Sequence, residues 1–401
     1  MARFIVVVLD SFGVGAMDDC KAVRKQDIGS NTALHILEKT PNLYLPNLES
    51  LGLMNILDAE IDGMILNPMS NYGTANLAHF GADSFAGHQE IMGTKPSRPL
   101  ELAINDVAAE VKLALELAGH RVDFIEKDGL KAILVDGTVL VADNMETDLG
   151  QVINVNGILD EICFADVEKI GRIVRGVVKV SRVIVLGGRS VSLNRMLAAL
   201  KTNSEFIGLD TPKSGLYLDD YQVIHLGYGV DTTMQVPHAL AQKKIPTVFV
   251  GKVGDIVANP GGCNISGVDT QDLFDAFITE IKKEKTAFFC LNIQEMDLAG
   301  HAQNVKKYAK KLKISDDKIG EILEILGVDD VLIVMADHGN DPTVGHSRHT
   351  RERVPLLVAK QGLTYVRLDE RETMADVGAT VAAFFGTSIA YGTSFLRMIQ
   401  N

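Results

Sequence analysis

Residues 4–9 (FIVVVL) form an unbroken apolar run rich in β-branched side chains, the pattern of a strand covered on both faces. Residues 287–293 (AFFCLNI) and 331–335 (VLIVM) repeat it, as do 247–250 and 355–358. Between these runs the apolar spacing changes to three and four. Leu273, Phe277 and Ile281 recur behind Thr270, which reads as a helix cap, and Lys282, Lys283 and Lys285 close the last turn. Met374, Val377, Val381 and Phe384 make a second stripe, stopped by Gly386. Strands alternating with helices predict an α/β core: a mostly parallel sheet with helices on both faces.

The middle of the chain has a different rhythm. Val107, Val111, Leu115 and Ala118 predict a helix, and residues 133–141 (ILVDGTVLV) a hairpin turning at Asp136-Gly137. Residues 182–186 read as a strand and 194–200 as a helix. This α+β stretch interrupts the alternation, so we expect a discontinuous core of residues 1–96 and 222–401 carrying an inserted cap of residues 97–221. No internal repeat or low-complexity segment breaks the pattern.

The 401 residues are 46% apolar, with a mean hydropathy of +0.13, enough for two cored domains. The formal net charge of −13 repels nucleic acid and anionic lipid, so neither is expected as a partner. The four cysteines (Cys20, Cys163, Cys263, Cys290) are far apart and indicate neither a disulfide framework nor a zinc knuckle. The first apolar run stops at Asp10, and no run reaches about 18 residues, so the expectation is a cytoplasmic protein.

Ligands of an open parallel sheet collect beyond the carboxyl ends of its strands. Here those ends carry acids and histidines. Asp10 follows the first strand, Asp297 and His301 follow residues 287–293, and Asp337 and His338 follow residues 331–335; His346 and His349 precede the next strand. One strand-end Asp is often only a turn or cap. Three on one edge would repel each other, and a pair of divalent cations removes that repulsion. Asp oxygens with imidazole nitrogens suit Zn²⁺ or Mn²⁺ better than Ca²⁺ or Mg²⁺. Ser84 lies in GADSFAGHQE (residues 81–90), where small neighbours allow close approach to a metal. The segment is not a G-x-S-x-G elbow. Metal coordination could activate Ser84 as a nucleophile, while an ordinary Asp-Ser turn remains the plain alternative.

Eight segments together resemble the phosphopentomutases, a metal-dependent phosphomutase branch of the alkaline phosphatase superfamily. They are VVLDSFGVGA (7–16), DIGSNTALHI (27–36), LPNLESLGL (45–53), GADSFAGHQEIMG (81–93), GKVGDI (251–256), ADHGNDPT (336–343), HTRERVPLLV (349–358) and DVGATVAAFFG (376–386). The resemblance implies an alkaline-phosphatase-like core and two metal ions. One would be held by Asp10, Asp337, His338 and Ser84, the other by Asp297, His301, His349 and Ser84. Mn²⁺ is the implied metal, with Zn²⁺ or Mg²⁺ as alternatives and a sugar bisphosphate as activator. Ser84 would carry a phosphoryl group between hydroxyls of ribose or deoxyribose 1-phosphate and 5-phosphate, while the cap closes to exclude water.

This sequence departs from that family at several points. Serine replaces the usual threonine nucleophile, and Asp297 stands four residues before His301 where five is usual, which leaves Glu295 as the fallback ligand. The two cap arginines that hold the sugar phosphate correspond to Ser204 and Leu218. Losing two charge-assisted contacts costs about 1.5–3 kcal/mol each. Arg175, Arg189, Arg195 or Lys201 could substitute from elsewhere in the cap; with His88 and Lys252, Arg189 joins the candidate substrate contacts. His346 is an alternative to His349, and residues 306–313 (KKYAKKLK) read as a solvated helix face. A phosphatase or phosphodiesterase on the same scaffold, a mutase for another sugar phosphate, and a silent sugar-phosphate-binding protein are the competing functions. The sequence specifies no oligomeric state.

Overall fold

The apolar runs become the strands of an eight-stranded sheet. A computed structural model describes residues 2–145 and 149–400. Before residue 97 the chain supplies β1 (Arg3–Leu9) and β2 (Asn71–Ala75). Residues 97–230 supply β3 (Val122–Lys127), β4 (Leu130–Val135), β5 (Val139–Asn144), β6 (Val152–Ile158), β7 (Arg182–Gly188), β8 (Leu200–Asn203), β9 (Phe206–Leu209) and β10 (Gln222–Gly227). Then come β11 (Thr247–Val250), β12 (Cys263–Ile265), β13 (Ala287–Ile293), β14 (Val331–Met335), β15 (Val354–Ala359) and β16 (Arg367–Arg371). The chain forms two compact units, Met1–Pro96 with Asp231–Asn401, and Ser97–Val230.

In the first unit the strand order is β12-β11-β13-β1-β14-β15-β2-β16. β12, β11, β13, β1 and β14 run parallel, while β15 is antiparallel to both its neighbours. No crossover helix separates β14 from β15. The connecting residues 336–353 stay at one sheet edge, which forces the return strand to run backwards. Every residue of β13 and β14, and all but the first of β1, is buried, so both sheet faces are covered. Burying each such Phe, Ile or Leu contributes about 1.5–3 kcal/mol.

The helix Thr270–Lys283 buries Leu273, Phe274, Phe277, Ile278 and Ile281. Its cap is Asp269, whose carboxylate accepts from the amides of Gln271 and Asp272; the Thr270 hydroxyl donates to Glu295 instead. An ionised Asp side chain satisfies two orphan amides where a hydroxyl serves one, which explains why the expected cap is displaced by a residue. Residues 306–313 lie on the helix Val305–Glu324, with Lys306, Lys307 and Lys310 exposed and Tyr308 buried. Among the described residues no helix is long and apolar enough to cross a membrane.

The second unit has the order β10-β7-β6-β5-β4-β3, with β9 beside β5 and β8 beside β9. Most of its pairs are antiparallel, but β6 with β7 and β5 with β9 are parallel. Asp136 and Gly137 take the positive φ values, 52° and 75°, that a tight hairpin between β4 and β5 requires. β10 pairs with β7 over Gln222–Gly227, which draws those residues into this unit and moves its end from residue 221 to Val230. Buried Asp143 joins two segments by accepting from the amides of Ile104 (2.8 Å) and Ile207 (2.9 Å).

Candidate metal centre

Because β1, β13 and β14 are parallel neighbours, their carboxyl ends share one edge. Asp10 leaves β1 there and Asp337 leaves β14; Asp297 lies in the helix Glu295–His301 after β13. β15 begins at that edge, so His349 arrives from the other side of the 336–353 loop. β2 is antiparallel to β15 and ends at the same edge, where residues 76–83 lead into the helix Ser84–Ile91. Five segments far apart in sequence thus converge.

The ligand-type atoms fall into two groups, each within 4.8 Å: Asp10, Asp337 and His338; and Asp297, His338 and His349. His338 belongs to both, with its Nε2 3.5 Å from Asp10 Oδ1 and 3.3 Å from Asp337 Oδ2. Its ring stacks on that of His349 with centroids 3.9 Å apart. His301 joins the outer group: its Nε2 is 3.2 Å from Asp297 Oδ2 and 3.0 Å from His349 Nε2. Ser84 Oγ donates to Asp337 Oδ2 at 2.7 Å. Gly87, one turn on, is required by that approach, since a Cβ there would sit 2.8 Å from the Asp337 carbonyl oxygen.

These residues fit divalent cations on three observations. Buried Asp10 Oδ1 and His338 Nε2 have no hydrogen-bond partner. The Nδ1 atoms of His338, His349 and His301 each meet a backbone carbonyl, of Gly339 (2.9 Å), Ala82 (2.7 Å) and Ser347 (2.6 Å). A carbonyl can only accept, so each Nδ1 carries a proton and Nε2 is the ring nitrogen left to face the cluster, the orientation a metal ligand needs. Third, three carboxylates crowd together, and after burial those of Asp337 and Asp297 both raise Asp10. Burial, and then the charge of Asp337, pushes the Asp10 carboxyl up to about 7. Burial drives His338 down to about 3, whereas the Asp297 carboxylate overcomes burial and lifts His349 to about 9. Despite burial, neighbouring imidazoles hold Asp297 and Asp337 well below the usual carboxylate range. Ser11, after Asp10, has a left-handed φ of 70°, and its amide donates to Asp337 Oδ1 at 3.1 Å.

The weaker candidates have other partners. Lys252 reaches Asp10 Oδ2 (2.9 Å). His88 is fully buried and contacts the Ser84 carbonyl through Nδ1 (2.9 Å). In the second unit Arg189 pairs with Asp220 (2.8 Å) and Asp160 (3.8 Å), Arg175 bonds the carbonyls of Leu226 and Val178, Arg195 that of Lys213, and Lys201 lies 3.8 Å from Asp210. Glu295 takes Thr270 and Lys311, and His346 Nε2 lies 3.3 Å from Asp27 Oδ1.

Sequence reasoning passed over Asn292. Its Nδ2 donates both to Asp10 Oδ2 (3.1 Å) and to His88 Nε2 (3.0 Å), tying the metal edge to the Ser84 helix. The signal was there: an Asn inside an apolar, doubly covered strand must find a partner. Asn340, which donates to Asp297 Oδ1 at 2.9 Å, was equally hidden.

The sequence profile of the Metalloenzyme superfamily matches residues 2–389. A phosphopentomutase of Limosilactobacillus reuteri (strain DSM 20016) is 30% identical over 421 residues, spanning 100% of this chain and 99% of the relative. A phosphopentomutase of Vibrio parahaemolyticus is 31% identical over 441 residues, spanning 99% of this chain and 100% of the relative. Among solved structures, a Leishmania mexicana phosphoglycerate mutase is 12% identical over 98% of this chain and 97% of that one, with a TM-score of 0.47.

Proposed function

The chain belongs to the Metalloenzyme superfamily and to its phosphopentomutase family, and from that premise we propose that Ser84 takes up a phosphoryl group and passes it between two hydroxyls of a pentose phosphate, ribose or deoxyribose 1-phosphate becoming the 5-phosphate. That it is a phosphomutase-type enzyme follows from the family. The pentose, the phosphoserine and the ligand assignment are the proposal; the relatives' names support the pentose, and the 2.7 Å bond from Ser84 Oγ to Asp337 amid the two ligand groups carries the rest.

Asp10, Asp337 and His338 would hold one cation and Asp297, His301 and His349 the other, Mn²⁺ in the first instance, with Ser84 Oγ completing both. When bound, such a pair neutralises the carboxylates and withdraws charge from the transferred phosphoryl oxygens. The chain's own part is to hold and aim. Asp337 Oδ2 accepts the Ser84 hydroxyl hydrogen, leaving an Oγ lone pair for phosphorus. The start of the helix Ser84–Ile91 presents its positive end to the phosphoryl group. In the first step Ser84 Oγ bonds to phosphorus as the bond from phosphorus to the sugar oxygen breaks, and the hydroxyl proton passes by way of Asp337 to the departing sugar oxygen. In the return step a second hydroxyl of the sugar bonds to phosphorus as the bond from phosphorus to Ser84 Oγ breaks, and its proton returns to Oγ. The unit Ser97–Val230 would serve as the substrate cap, a sugar bisphosphate would act as activator, and the protein would work in the cytoplasm.

A different sugar phosphate, or hydrolysis, is the second reading. It is favoured by the cap positions Ser204 and Leu218, which bring no cation, and by the carboxylates that already occupy Arg189. One experiment separates these. Metal-loaded protein is incubated with ribose 1-phosphate, other sugar 1-phosphates and bisphosphates, and followed for isomer, free phosphate and mass. The expected result is isomerisation without net phosphate release and a gain of about 80 Da on Ser84. Phosphate release outrunning isomerisation would favour the hydrolase, and turnover by Ser84→Ala would remove the nucleophile from the proposal.

A further inference from the structure

Residues 76–83 carry the chain from β2 to Ser84 with almost no backbone pairing of their own, so side chains must satisfy their polar groups. The amides are met by an anion: those of Ala78 and His79 donate to the Glu90 carboxylate (3.1 and 3.0 Å), which also holds His79 Nδ1 (2.8 Å). Burial pushes Glu90 up, but His79, Thr373 and the Met374 amide outweigh it and hold the acid below its usual range.

The carbonyls are met by a cation. Arg351 is 5% exposed; its Nη1 donates to His79 O (2.8 Å) and Gly81 O (2.6 Å), and its Nη2 to Leu77 O (2.9 Å). The two remaining N–H groups go to Asp19, Nε at 2.9 Å and Nη2 at 2.8 Å. All five guanidinium donors are therefore used, three of them on one loop. The segment before β15 is extended and alternates: His349 bonds Ala82 O, Arg351 bonds the rest of the loop, while Thr350 and Glu352 bond each other and Glu352 turns to Thr32. A planar five-donor group suits this pattern. A lysine ammonium, with three donors on one atom, cannot span it.

We propose that Arg351 is a positioning residue for phosphoryl transfer: by fastening the carbonyls of Leu77, His79 and Gly81 it sets where Ser84 Oγ stands against Asp337. The inference rests on the reading of Ser84 as nucleophile. Displacing a reacting atom by about 1 Å costs on the order of 100-fold in rate without altering how substrate is held elsewhere.

The test uses the full chain carrying Arg351→Ala, Arg351→Lys or Asp19→Asn. With ribose 1-phosphate as probe, Arg351→Ala should lose about 100-fold in kcat with KM within about twofold and metal stoichiometry intact. Added guanidinium chloride should restore part of the loss, and equal ammonium chloride should not. Arg351→Lys should behave like the alanine variant. In metal-free protein, which needs no substrate, amide exchange across residues 77–83 should quicken in Arg351→Ala, and less so in Asp19→Asn. Asp19 is partly exposed, so its variant keeps the test open if Arg351→Ala does not fold. Unchanged exchange in these variants, or kcat and metal content falling together with no guanidinium rescue, overturns the inference. Ser84→Ala runs in parallel: if it still turns over, the nucleophile reading fails; if it is inactive while Arg351→Ala phosphorylates Ser84 at the parent rate, only the role of Arg351 fails.

Discussion

Asp143 in the second unit and Asp10 in the first are buried alike, 1% and 0% exposed, and burial pushes both acids up, to about 6 and about 7. Their surroundings differ. Both oxygens of Asp143 are filled by backbone amides from two segments it staples together, and among the described residues the charge of Asp106 raises it less than burial does. Asp10 stands with two more carboxylates and has one oxygen without a hydrogen-bond partner. A buried acid therefore says little about chemistry until its lone pairs are counted. Filled, they make a staple; crowded and open, they have the chemistry of the proposed ligand set.

The sharpest way to break this contrast is to remove each charge and read both activity and stability. Asp10→Asn should lower turnover by about a thousandfold or more and reduce bound metal, an expectation set by how much such ions contribute to transition-state charge. The stability of metal-free protein should change by less than about 1 kcal/mol, because the lost pair with Lys252 is offset by relief from Asp337. Urea unfolding of the apo variant showing a loss above about 3 kcal/mol would make Asp10 a staple after all.

Asp143→Ala should do the reverse. Two buried amides lose their acceptor, at about 1–3 kcal/mol each, while turnover per folded molecule stays at the parent level. Loss of activity in folded Asp143→Ala would erase the distinction.

The smallest effect is in pH. Asp143 holds its proton more tightly folded than unfolded, its carboxyl rising from 3.8 to about 6. Its contribution is fully present below pH 3.8 and is lost as pH rises through about 6. That amounts to about 2–3 kcal/mol at 1.36 kcal/mol per unit, an upper figure for a group not wholly enclosed. Urea titrations of the parent between pH 4 and 7 should show stability falling through this window, and Asp143→Asn should lessen the slope, leaving the part due to Asp10. An equal slope in both proteins would assign the effect elsewhere.

What could be read from the sequence follows from locality. β1, β13 and β14 announce themselves because strands covered on both faces must be apolar at every position, and the hairpin at Asp136-Gly137 because only a few residues accept positive φ. β6 (VINVNGI) is masked by Asn154 and Asn156, which are polar yet buried because Asn144 and the Leu140 carbonyl meet them. The antiparallel course of β15 is invisible in its composition and depends on where the 336–353 loop turns. At the site, Asp10, Asp337 and His338 are legible as strand-end residues. Asn292 and Arg351 are not, because their partners lie far off in sequence, 272 residues in the case of Arg351 and His79, and Glu90 is hidden likewise by its bonds to Thr373 and Met374.

The sheet order has a further consequence during synthesis. β1 lies between β13 and β14, and β2 between β15 and β16, so neither N-terminal strand has a sheet partner until residue 287 or later has been made. At about 5–20 residues per second, the hydrophobic β1 waits roughly 15–60 s outside the ribosome without its neighbours. The unit Ser97–Val230 is contiguous and every strand of its sheet comes from within it, so it can fold during that interval. Stalled nascent chains ending near residue 250 should accordingly resist protease over residues 97–230 and be cut within residues 3–9. The strand that delivers Asp10 is the first made and among the last secured, which makes it the segment a holding chaperone would have to cover.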